Sequence, residues 1–207
     1  MDSGFRRNDG QEVNQSFLLA CLCLFLLLAG CATAPRHVPG EPIAIERLER
    51  WQAHGRIGVS GPEGGGSGSF DWRQNEDEAK VQIRGPVGIG SVRLNVRGDV
   101  NHPRIELQTG DGTTLESDAA WTELEARLGA RLPAGNLRYW LLGLAAPGEH
   151  RWSGASDAGE ASLEQQGWRI DYQRYSNELG ARLPMRLRAS SGDARVRIVI
   201  DRWQLGR

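Results

Sequence analysis

Four histidines, one acidic run and two glycine-bearing turns are the places where this chain holds residue types that do chemistry. His37, His54, His102 and His150 are far apart in sequence and lack the short spacings of metal ligands, so they read as surface residues and no metal site is expected. "NEDE", Asn75 to Glu78, falls between two strand-like segments and reads as a solvated turn, not a general acid and base pair. Gly58-Val59-Ser60-Gly61-Pro62 is one glycine short of a nucleophile elbow. Lys80 is the single lysine, and no Gly-Lys-Ser/Thr follows a glycine loop, which excludes a Walker A site. In "RGPVGIGS", Arg84 to Ser91, Gly85, Gly88 and Gly90 reverse the spacing of the dinucleotide fingerprint, and a strand pattern follows where a helix is required. A tight turn accounts for its glycines and Pro86. Val87 and Ile89 are branched apolar groups among turn residues, and their alternative reading is contact with something outside the protein. No catalytic residue and no cofactor is expected, and the chain does not read as an enzyme.

The N-terminal region is more informative. Phe17 to Ala29 is apolar and too short for a membrane span, which needs roughly 18 residues or more. Leu28-Ala29-Gly30-Cys31 then matches the lipobox of bacterial lipoproteins, so residues 1–30 are expected to be removed and Cys31 to be lipidated. Ala32 replaces the aspartate that retains many such proteins in the inner membrane, which implies an outer-membrane address on the periplasmic face in a Gram-negative cell. Cys21 and Cys23 leave with the signal, so the body has no disulfide. Residues 31–42 carry Pro35, Pro39 and Pro42 and form a stiff tether of roughly 30 Å, ahead of a single domain over 43–207. A net charge of -1 excludes a strongly basic nucleic-acid binder.

The elements follow from periodicity. Ile45, Leu48 and Trp51 are spaced as on a short amphipathic helix. From Gly55 the period becomes two, in "GRIGVSG", "GSFDWRQ", "KVQIRG", "SVRLNV" and "RIELQT", with "GPEGGGSGS" read as a mobile hairpin loop. "SDAAWTELEARLG" predicts a helix capped by Ser117 or Asp118, with Trp121, Leu124 and Leu128 on one face. A second helix carries Leu137, Trp140, Leu141 and Leu144, with Asn136 as its cap. Period two returns in "ASLEQQ", "WRIDYQ", "MRLRA" and "ARVRIVIDRW". About ten to eleven antiparallel strands with helices inserted midway make a mainly β, α+β fold, a strongly curved sheet with helices over its concave face. Such a sheet either closes on side chains or leaves a cavity. Seven tryptophans are available to the core or to a cavity wall.

The order of these segments resembles the LolB family. The matching pieces are the lipobox, "RWQAHGRIGV", "GSFDWRQ", "GPVGIGSVRLNV", "LPAGNLRYWLLG", "GWRIDYQRY", "LPMRLRA" and "IDRW". The resemblance implies an incomplete, strongly curved antiparallel β-barrel with a helical lid over an apolar cavity. It implies a receptor that accepts acylated lipoproteins as cargo from the periplasmic carrier LolA and inserts them into outer-membrane phospholipid, acting as a monomer. It also implies that the loop Pro86, Val87, Gly88, Ile89 enters the membrane, with Val87 at the position of the family's exposed apolar residue. Trp72, Leu94, Leu107, Trp140, Leu141, Trp168 and Tyr172 are then the candidates for the acyl-cavity wall. A structural lipoprotein that scaffolds an envelope assembly machine is the alternative reading.

Overall fold

The structure is a computed structural model, and it describes residues 43–62, 64–85, 91–128, 133–154, 160–177 and 179–206. A short 3-10 turn, Ile45–Arg47, precedes β1 (Arg50–Gly61), β2 (Gly64–Asn75), β3 (Glu78–Arg84), β4 (Ser91–Arg97), β5 (Arg104–Gln108) and β6 (Thr114–Glu116). Helices α1 (Ser117–Leu128) and α2 (Ala134–Leu142) follow, and then β7 (Arg151–Ser153), β8 (Ala161–Gln165), β9 (Trp168–Ser176), β10 (Leu183–Ser191) and β11 (Ala194–Leu205). All eleven strands form one antiparallel sheet in the order β6-β5-β4-β3-β2-β1-β11-β10-β9-β8-β7. The sheet does not close, since β6 and β7 are its two edges. This is the open, curved barrel with two helices that the alternation predicts.

Three local expectations are corrected. The helix over Ile45 to Trp51 is only the 3-10 turn, and Trp51 already belongs to β1. The reason is tertiary. Trp51 and Ala53 are buried while Gln52 is exposed, and Trp51 stacks on Trp72 at 5.8 Å and meets Trp203 edge-on at 5.4 Å, contacts open only to a strand. The glycine-rich stretch is not a loop, because β2 begins at Gly64 and pairs with β1 out to Gly61. A Cβ at Gly65 would lie 2.4 Å from the Val59 carbonyl oxygen, and one at Gly68 would lie 2.3 Å from that of Arg84. Glycine therefore serves close strand approach here rather than mobility. Asn136 does not cap α2. The cap position is Pro133, and Asn136 lies inside the first turn, fully buried.

The core lies between the concave face of the sheet and the two helices. The C-terminal end of α2 is fixed by polar contacts as well as apolar ones. Gln165 on β8 accepts hydrogen bonds from Trp140 Nε1 and from the Ala146 amide, each at 3.0 Å, and donates to the Ala146 carbonyl at 2.7 Å. Tyr172 donates to the Trp140 carbonyl at 3.0 Å. Gly143 ends the helix in the left-handed conformation at φ 79°, a position glycine suits. Replacing Gln165 with leucine leaves three buried polar groups without partners, at about 1 to 3 kcal/mol each. Equilibrium urea unfolding is expected to show a loss of at least about 3 kcal/mol, and a loss under about 1 kcal/mol would mean that this anchor is dispensable.

Candidate functional site

The concave wall is built from cross-strand rows. Trp72, Val81, Leu94, Leu107 and Leu115 are successive partners across β2 to β6, and Ile57, Ile198, Leu187 and Tyr172 are successive partners across β1, β11, β10 and β9. Period-two alternation puts one face of each row inward, and helix residues Leu124, Ala134, Leu137, Trp140 and Leu141 close the space from above. Between these layers is a cavity of about 80 Å³, and every residue lining it is apolar.

Of the seven wall candidates, Trp72, Leu94, Trp140 and Leu141 line this cavity. Leu107, Trp168 and Tyr172 are buried in the core around it. Trp168 packs against Trp140 with ring centroids 6.4 Å apart. Tyr172 stacks on Trp152 and meets Tyr175 at a tilt, and its burial pushes its hydroxyl well above the ordinary tyrosine range. Sequence reasoning passed over Ile57, Phe70, Val81, Ile83, Leu187 and Ile198, which line the same cavity. Their signal was present, since each is an inward member of an alternating strand. What was missing was the register that brings distant strands side by side.

Cys31 and the loop Pro86, Val87, Gly88, Ile89 lie outside the described residues. The flanking strands do place the loop's connection, because Arg84 at the end of β3 pairs with Ser91 at the start of β4. That end of the sheet also carries the β1–β2 and β10–β11 hairpins.

On the convex face, His54 Nδ1 and Asp71 Oδ1 are 2.8 Å apart, and Arg84 binds the other oxygen of Asp71. The hydrogen bond with His54, and then that from Arg84, hold the Asp71 carboxyl below its usual range. This is a surface charge network on the side of the sheet away from the cavity. Among the described residues, no group of His, Cys, Asp or Glu is placed to hold a metal ion.

A family model described as outer membrane lipoprotein LolB matches residues 49–203. The outer-membrane lipoprotein LolB of Stutzerimonas stutzeri is 36% identical over 194 residues, covering 88% of this chain and 92% of the relative. That of Pseudomonas fluorescens is 35% identical, covering 86% and 90%. Among solved structures, a DUF1329 family protein from Desulfovibrio piger matches with a TM-score of 0.55 at 8% identity, over 78% of this chain and 87% of that one. This last likeness concerns the fold alone.

Proposed function

Because the chain belongs to the LolB family of outer-membrane lipoproteins, lipid-anchored at the outer membrane of Gram-negative bacteria, we propose that it receives acylated lipoproteins from the periplasmic carrier LolA. It holds their acyl chains against the concave wall and passes them to outer-membrane phospholipid. The proposal takes Cys31 as its own lipid attachment point. The observation that carries this reading is the uninterrupted apolar lining between sheet and helices. Apolar burial is worth about 0.8 kcal/mol per methylene, so a sixteen-carbon chain in water costs about 12 kcal/mol. A wall that replaces water continuously is what such a transfer needs. The transfer then runs down a gradient of affinity, with no bond made or broken and no nucleotide consumed.

The cavity volume adds a constraint. The enclosed space is about 80 Å³, small for a long acyl chain. On this reading loading widens the space by moving α1 and α2 away from the sheet, and the acyl chain takes over the apolar contacts that the helices give up. The energy of opening is offset by the same surface that needed covering.

The reading is tested by mixing the full-length protein with LolA carrying a radiolabelled lipoprotein and recovering each protein by its own antibody, without added nucleotide. Label is expected to move onto this protein. Label that stays with LolA would favour the scaffold reading, in which the protein contributes contacts and no acyl site.

A further inference from the structure

On the convex face, the outward residues of β9, β10 and β11 include Arg174, Arg186, Arg188 and Arg197, all exposed and none with an ion pair or side-chain hydrogen bond among the described residues. Their placement is unfavourable for the fold alone. Arg188 is the direct cross-strand partner of Arg197, and Arg186 faces Arg174 at a bulge in the β9–β10 pairing. Like charges directly opposite each other in an antiparallel pair are destabilising, so an anion between them relieves the fold.

The surroundings leave room for that anion. On its other side Arg197 faces Gly58 of β1, which offers no side chain. Beyond Arg188 stands Asp171, whose Oδ1 is already shared by Arg169 at 3.0 Å and the Ser162 hydroxyl at 2.6 Å. Arg188 and Arg197 line a groove of about 580 Å³ together with Gly58, Ser60, Ser190, Arg195 and the Asp171 carboxylate, so three guanidiniums face one acid there. Planar guanidiniums recognise phosphate oxygens in bidentate fashion.

We propose that the Arg188–Arg197 groove is a binding site for the phosphate of an anionic phospholipid headgroup in the membrane to which the protein is anchored. Two observations select a lipid as occupant. Lipid anchorage holds the protein at a phosphate-covered surface. The groove also lies toward the end of the sheet where the β1–β2, β3–β4 and β10–β11 connections gather. The inference uses the anchorage, the convex face and the groove's place toward that end of the sheet, so it stands or falls independently of the acyl site.

The test uses the full-length protein in micelles of a neutral detergent, doped in turn with phosphatidylglycerol, phosphatidylcholine or inorganic phosphate, with NMR of the arginine Nε–Hε groups as readout. Saturable shifts at Arg188 and Arg197 are expected with phosphatidylglycerol, weakening as salt is raised. The Arg188→Gln/Arg197→Gln double variant is expected to bind about thirtyfold more weakly, two basic contacts near a membrane surface being worth about 2 kcal/mol. Arg104→Gln, on β5 at the end of the sheet away from these connections, is expected to bind as the original does. Removing the opposed charges should leave the melting temperature unchanged or higher, and the salt dependence of the original protein tests the site without any substitution. Equal shifts with inorganic phosphate, or with phosphatidylcholine, would overturn the anionic-lipid assignment. Undiminished phosphatidylglycerol binding by the double variant would overturn the site itself.

Discussion

Replacing Leu141 with aspartate is expected to abolish acyl binding, and in equilibrium unfolding to remove about 3 to 5 kcal/mol of stability. Leu141 is 3% exposed on α2 and lines the cavity beside Trp140. A carboxylate there has no cationic partner among the cavity-lining residues, which are all apolar, and an uncompensated buried charge carries a penalty of that size. Domains of this size are stable by only about 5 to 15 kcal/mol, so the variant sits near the limit of folding. Leu141→Ala separates the two effects. It loses about 2 to 5 kcal/mol by cavity formation but keeps the wall apolar, so at a temperature where it remains folded it should still bind an acyl probe. An aspartate variant that is both stable and binding would mean that this helix face is not the lid over the site.

The second large effect is expected at Val87. On the proposal that the β3–β4 loop carries Val87 into the membrane after acceptance from LolA, Val87→Glu should leave folding and acceptance intact while slowing delivery to liposomes by about 30- to 150-fold, because a charge resists entry into the hydrocarbon layer by about 2 to 3 kcal/mol. Lipoprotein would accumulate on the variant. Val87→Leu should deliver at least as fast as the original, the added methylene contributing about 0.8 kcal/mol of insertion. In an ordinary exposed turn the glutamate would change stability by no more than about 0.5 kcal/mol and delivery not at all. The measurement is transfer from loaded receptor to vesicles, and equal rates for valine and glutamate would make the β3–β4 connection a plain turn.

The pattern of the strands was legible because inward and outward residues differ in kind. In β10, Leu187 and Ala189 are buried while Arg186 and Arg188 are exposed, and a period of two is hard to mistake there. β6 and β7 were not legible, since three residues such as Arg151, Trp152 and Ser153 are too few to show a period. Trp51 misled because its spacing from Leu48 and Ile45 fits a helix, while its environment, set by Trp72 and Trp203, is fixed by residues far along the chain. Glycines misled for a related reason. Gly65 and Gly68 carry no pattern of their own, and their need for closeness is visible only against the backbone of neighbouring strands. Among the cavity residues, Trp140 and Leu141 stood out on a helical stripe, whereas Ile57 and Ile198 became neighbours only through the pairing of the first strand with the last.

That pairing also governs when the molecule can become whole. Strands β1 to β6 form one run of sequential neighbours and β7 to β11 another, and the two runs meet only where β1 joins β11. Contacts this distant in sequence form late, because the chain entropy lost in closing the loop comes before any reward. A polypeptide exported N-terminus first must hold β1 with one edge unsatisfied until its last dozen residues have crossed. The seam carries Trp51, Trp72 and Trp203 within stacking distance, so their shared fluorescence marks the moment when the two halves join. A chain that stops before Ala194 lacks β11 altogether, and its β1 and β10 are left as two unsatisfied edges.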